Sequence, residues 1–286
     1  MIPIILRGYP ESPKRVEWIA KTKPLNVYIK EDLENLEIPD YVFNFHWQVD
    51  RSKTFVDQIT YEITSNIYNH TFFWDWLKSV QPKKFINIST IKIFSELNQN
   101  PITSNSTPMP LTPYGISKVT AENYFRAVFH KSATKITNLR LGSVSSYGEV
   151  PTQLFSQLFN SAFNNKKITI NKGHISNILY IEEVIDLVIS SVFLDEKENY
   201  LIVGEGKLNE HISRRFEEIA KRKLNAEFLD LNPGVADPIF ISDLGKLKAK
   251  WTRSYSLDSI IELIIKTNLK NYANLDTGIQ KNSTNT

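Results

Sequence analysis

Short apolar runs constrain what this chain can fold into more than any other feature: Ile2–Leu6, Leu25–Ile29, Tyr41–Phe45, Phe85–Ile88 and Lys135–Leu141. They are too short for buried helices, and most of them are close to continuously apolar, so they read as strands covered on both faces. Between the later runs lie longer stretches with helical spacing, Phe55–Val80 and Ser117–His130. That order predicts βαβ units and an α/β fold built on a doubly wound, largely parallel sheet. Such a sheet takes its ligands beyond the carboxyl ends of its strands.

After Leu141 the pattern changes. Gly142–Gly148 reads as loop, followed by a helix near Thr152–Asn164, a strand at Ile168–Ile170, a helix from Ile181 to Phe193, a strand at Tyr200–Val203, a helix at Ser213–Lys223 and a last helix at Ser256–Thr267. The expected organisation is a sheet domain over residues 1–142 and a smaller α/β lobe over 143–270, with some of its segments returning to the sheet. The polar stretch 271–286 is expected to fray.

Composition removes several function classes. There is no cysteine, so disulfides, thiolate catalysis and cysteine metal sites are excluded. The five histidines are scattered without an i, i+4 pair, and no metal centre is expected. The net charge of +3 is spread along the chain, which argues against a nucleic-acid partner. No apolar stretch reaches the length of a membrane span, and the expected location is the cytoplasm.

The segment with most chemistry is Pro113-Tyr114-Gly115-Ile116-Ser117-Lys118-Val119-Thr120-Ala121-Glu122. Tyr114 and Lys118 are four residues apart, so a helix places phenol and ammonium on one face. A nearby cation favours the phenolate and suits the tyrosine to proton transfer near neutral pH. The whole segment resembles the catalytic helix of the extended short-chain dehydrogenase/reductases, the family of sugar-nucleotide epimerases, dehydratases and reductases. The resemblance runs from about Asp40 to Lys270 and implies a Rossmann-like sheet.

It also implies roles. Tyr114 would exchange a proton with a sugar hydroxyl or ketone oxygen, and Lys118 would lower its pKa and hold a nicotinamide ribose. Thr90, from Phe85-Ile86-Asn87-Ile88-Ser89-Thr90, would hydrogen-bond the same substrate oxygen. Asn66 matches the helix asparagine that positions the lysine through water. Asn44 and Ser89 would lie along the cofactor; Lys92 and Ser143 would face the substrate. The family's 4,6-dehydratases place Asp-Glu after the threonine. Here Ile91-Lys92 follow, which disfavours dehydration and resembles reductases of 4-keto-6-deoxy amino-sugar nucleotides. The implied activity is 4-keto-sugar reduction or 4-epimerisation on a sugar nucleotide in surface polysaccharide biosynthesis. The implied cofactor is NAD or NADP and the implied assembly a homodimer.

The sequence also departs from the family. Its Gly-x-x-Gly-x-x-Gly loop, which lets backbone N–H groups approach a pyrophosphate, is represented only by Gly8 in Arg7-Gly8-Tyr9-Pro10-Glu11. In one alignment Ile2–Leu6 is the family's first strand, and Glu31 and Asp32 bind the adenosine ribose. In the other it is the second strand, and Arg7 meets a 2′-phosphate. The alanines usual after the Tyr41–Phe45 strand are His46 and Trp47, which put bulk beside the cofactor path. Two arginines that grip the sugar-nucleotide pyrophosphate are missing near Ser176-Asn177 and Ala236-Asp237. Three readings stay open: a working enzyme with an unusual loop, a catalytically inactive binding or assembly domain, and a chain lacking its first βα unit.

Overall fold

The computed structural model describes residues 4–5, 39–146, 152–194, 198–230, 237–244 and 254–282. The chain forms two compact units. The first combines Met1–Leu141, Leu187–Ile202 and Pro238–Lys250; the second combines Gly142–Asp186, Val203–Asp237 and Trp251–Thr286.

The first unit is built on five parallel strands, β1 (Ile4–Ile5), β2 (Tyr41–Asn44), β3 (Lys84–Thr90), β4 (Lys135–Leu141) and β5 (Asn199–Ile202), which lie side by side in that order. Successive residues of a strand face opposite sides of the sheet, and both Val42 and Phe43 on β2 and both Phe85 and Ile86 on β3 are buried. The sheet is therefore covered on both faces, as continuous apolar strands require. In the Rossmann strand order the first strand lies beside the fourth. The pairing of Ile4 with Val42 and Ile5 with Phe43 is the neighbour relation of the alignment that makes Ile2–Leu6 the first strand. The expected strand Leu25–Ile29 lies outside the described residues.

One row of the sheet is polar. Asn44, Asn87, Asn138 and Asn199 stand in register on β2 to β5. Each side-chain amide donates to the next, Asn44 to Asn87 and Asn87 to Asn138 at 3.0 Å and Asn138 to Asn199 at 2.9 Å. The near end is used too, since Asn44 Oδ1 accepts from the His46 backbone N–H at 3.2 Å. A one-residue slip of any strand would turn its asparagine to the opposite face and strand its neighbours' buried amides, so the row fixes the register.

Three helices position the residues that concern function: α1 (Phe55–Asn66), α2 (Thr71–Val80) and α3 (Pro113–Val128). The spacing predicts one helix over Phe55–Val80, but a 3-10 turn at Tyr68–His70 divides it. The local cause is Asn66, whose amide donates to the Glu62 carbonyl and to Gln48 and so competes with the helical backbone. Trp74 then donates its indole N–H to the Ile67 carbonyl at the break. Helix α3 starts earlier than the periodicity indicates because Thr112 accepts from the Gly115 N–H at 3.1 Å and Pro113 occupies the first turn. The aromatics of α2 pack on the sheet: Phe73 and Trp74 are buried in one cluster with Phe85 and Phe125, and Phe72 and Trp76 pack on it.

In the second unit Ser143–Ser145 pairs in parallel with Ile175–Tyr180, which pairs antiparallel with Gly206–Leu208. Ile168–Asn171 pairs in parallel with Ala226–Leu229. A core containing Phe155, Leu158, Ile212, Phe216, Ile261 and Ile264 joins the helices Leu154–Asn164, Asn209–Ala220 and Leu257–Asn282. The last helix runs past the predicted Thr267; no proline follows to stop it. No described helix is long and apolar enough to cross a membrane.

Candidate active site

The site grows from one close approach. An ideal Cβ on Gly115 would stand 2.1 Å from the Lys92 carbonyl oxygen, so only glycine lets the turn after β3 press against the first turn of α3. That turn, a 3-10 helix at Ile91–Ile93, is capped by Thr90, whose hydroxyl accepts from the Lys92 N–H at 3.2 Å. Thr90 is buried, while the Lys92 side chain points to solvent. Tyr114 is half-buried, with its ring packed on the aromatic cluster below.

Lys118 follows one turn after Tyr114 and is 5% exposed. Its ammonium donates to the Ile88 carbonyl at 2.7 Å, near the carboxyl end of β3. The face of Trp47 covers the ammonium, with Nζ 4.2 Å from the ring centroid. Burial pulls the lysine pKa down to about 7, against the opposing pull of Glu122 and then Glu62.

These two carboxylates are balanced differently. Glu122 takes a bidentate grip from Arg140, at 2.8 and 3.2 Å, and a hydrogen bond from the Ser89 hydroxyl. Its charge is matched inside the protein. Glu62 is fully buried on α1, and its donors among the described residues are all neutral: the Trp47 indole at 3.0 Å, the Gln58 amide at 2.7 Å and the Ser117 hydroxyl. Sequence reading missed Glu62, because a carboxylate within a helix ordinarily belongs to a solvated face. Its one signal was the place of Ser117 next to Lys118 on the helix that α1 packs against.

The other expected residues are placed as follows. Asn66 holds the loop after β2, accepting from the Gln48 N–H at 2.6 Å and donating to the Gln48 carbonyl at 2.9 Å. Its side chain thus shapes the backbone beside Trp47. Asn44 belongs to the asparagine row and Ser89 to Glu122. His46 is buried, edge-on to His70 at 4.7 Å between ring centroids. Ser143 is exposed at the start of its strand in the second unit. Gly8, Glu31 and Asp32 lie outside the described residues. The structure therefore gathers Thr90, Tyr114 and Lys118 around one turn, and it engages Asn44, Ser89 and Asn66 internally.

A nicotinamide ribose can be tested against these groups. An ammonium carries three N–H donors, and among the described residues Lys118 has one hydrogen-bond acceptor, the Ile88 carbonyl. A buried ammonium so short of acceptors fits a diol that would supply them. The donor chemistry suits the ribose, and the Trp47 ring is the steric element that stands over it.

The fold has close relatives among solved structures. The UDP-glucose 4-epimerase of Thermotoga maritima, solved with UDP-glucose, aligns over 95% of this chain and 91% of its own at 19% identity and a TM-score of 0.77. RMD from Pseudomonas aeruginosa, complexed with NADPH, aligns over 93% of this chain and 98% of its own at 15% identity and 0.76. The UDP-glucuronic acid 4-epimerase of Bacillus cereus, complexed with UDP-glucuronic acid and NAD, aligns over 86% and 79% at 22% identity and 0.70. No protein of curated function matches the sequence. The family model of the NAD dependent epimerase/dehydratase family matches residues 23–200. With that match over more than half its length, and with the parallel sheet and catalytic-type helix already described, this chain belongs to the NAD-dependent epimerase/dehydratase family.

Proposed function

We propose that this protein is an NAD(P)-dependent enzyme acting on a nucleotide-linked sugar, as a 4-keto-sugar reductase or a 4-epimerase, in the cytoplasm and as a homodimer. The observation that carries this reading is the Lys118 ammonium: buried one helical turn from Tyr114, with a single hydrogen-bond acceptor among the described residues, the Ile88 carbonyl. A scaffold has no need of a desolvated ammonium, which costs stability unless a ligand completes it.

A bound nicotinamide supplies or accepts the hydride. The chain's own part is the proton. Tyr114 gives its phenolic proton to the substrate oxygen when a ketone is reduced and takes it back when a hydroxyl is oxidised. Lys118 stabilises the phenolate between those steps and would hold the ribose diol. Thr90 orients the substrate oxygen through its hydroxyl. Ile91 and the solvent-facing Lys92 provide no carboxyl group for loss of water, which supports redox or epimerase chemistry over dehydration.

The test is Tyr114→Phe. Turnover of a UDP- or dTDP-linked 4-keto-sugar or hexose should fall about 100-fold or more, with NADH or NADPH binding unchanged. Unchanged turnover would overturn the assignment.

A second reading, a catalytically inactive binding domain, is favoured by one specific observation: Trp47 stacks on the ammonium, and Asn44 and Ser89 are spent on internal hydrogen bonds. It expects no dinucleotide binding at millimolar concentration.

A further inference from the structure

The loop after β2 is held on both sides of Trp47. Before it, the His46 N–H is fixed to Asn44 at the end of the asparagine row. After it, both backbone polar groups of Gln48 are fixed to the Asn66 amide. The backbone at Trp47 is thus clamped, and what remains to move is the side chain. The indole is buried at the edge of the aromatic cluster and adds one hydrogen bond, to Glu62. The ring stands over the ammonium that is short of acceptors. A ring face attracts a cation but accepts no strong hydrogen bond, so it is a stand-in that oxygen ligands can displace.

We propose that Trp47 is the gate of Lys118: the indole covers the ammonium in the free chain, held there by Glu62, and swings aside when the vicinal diol of a dinucleotide ribose takes the ammonium's N–H donors. The diol rests on the function proposed above; the cover itself does not. Trp47 is a positioning residue, acting through the lysine. The gate explains how a family site can keep Tyr114, Lys118 and Thr90 and still carry an indole next to them. It makes the pair closed by default, with affinity for the dinucleotide lowered by the share of molecules in which the ring is in place.

Two readouts test it. In the first, wild-type protein and Trp47→Ala are exposed to acetic anhydride over a pH series, and acetylation of Lys118 is followed by peptide mass spectrometry against the solvent-facing Lys92, each rate being taken at its high-pH plateau, where the lysine is wholly amine in every protein. Removing the ring should speed that plateau labelling of Lys118, relative to Lys92, by roughly 2- to 30-fold, the range that about 0.5–2 kcal/mol of ring cover spans. Trp47→Phe retains a ring and most of the volume but loses the Glu62 anchor; its rate should fall between the two, and this milder variant keeps the test open should the alanine variant unfold. Equal rates in all three proteins would overturn the gate.

In the second readout, NADH and NADPH are titrated into wild type and Trp47→Phe by calorimetry. Tighter binding to the variant, within the same range, supports the gate. Equal or weaker binding to the variant overturns it while leaving the nicotinamide reading intact. Faster labelling with no binding of either dinucleotide to either protein would instead uphold the cover and overturn the nicotinamide reading, along with the diol as the gate's opener.

Discussion

Two buried polar clusters adjoin on β3, and they are built in opposite ways. In the asparagine row every described amide from Asn44 to Asn138 donates to its neighbour across the sheet, and the row ends on a backbone N–H. One residue beyond Asn87, the Ile88 carbonyl meets Lys118, which among the described residues is otherwise covered by an aromatic face. The first cluster is complete within the protein and specifies register. The second is incomplete, and its shortfall is what a ligand can supply. On the function proposed above, buried polarity marks structure where it is satisfied and a ligand site where it is not.

The sharpest way to break the comparison is to cut the complete cluster. Asn87→Ala leaves the Asn44 donor and the Asn138 acceptor buried without partners. It should cost about 2–4 kcal/mol of unfolding free energy, read from urea denaturation. A loss below 1 kcal/mol would show that the row is not the register device it is taken for.

The incomplete cluster predicts a different signature, in pH. The folded-state pKa of Lys118 is about 7, below the ordinary 10.5. Between those values the unfolded chain keeps a proton that the folded chain has released, so stability rises with pH across that window. The slope is at most about 1.4 kcal/mol per pH unit. Lys118→Met should remove this rise and leave the protein at least as stable as wild type at pH 7. Identical pH profiles for the two proteins would mean that the ammonium is not desolvated. A smaller effect concerns the frame around the cluster. Thr112→Ala removes the cap that starts α3 just before Tyr114, and should cost about 1 kcal/mol, measured by the same denaturation.

How much of this was legible follows from the physics of each region. Strands β2 to β4 were readable because short, largely apolar runs set between helical patterns read as strands of a sheet covered on both faces. The Tyr114–Lys118 face was readable because helical spacing alone sets it. The break between α1 and α2 was not, because the hydrophobic period runs through it and only the turn-back of Asn66 onto Gln48 and Glu62 interrupts the helix. Asn66 matches the family's relay asparagine in sequence, and its amide also secures the loop that carries Trp47, a contact that no local pattern announces. Glu62 escaped notice because a burial that depends on Trp47, Gln58 and Ser117 converging from three segments leaves no local pattern. The asparagine row escaped for the same reason: its members are far apart in sequence and meet only through register. Trp47 was legible as bulk in the cofactor path, but not as a contact to Lys118.

The central claim is that the Lys118 ammonium lacks a partner which a dinucleotide ribose provides. Calorimetric titration of NADH and NADPH into wild type and Lys118→Met tests it most directly. The account predicts saturable binding of at least one of them to wild type and its loss in the variant; binding that is absent from both proteins, or equally strong in both, would contradict it.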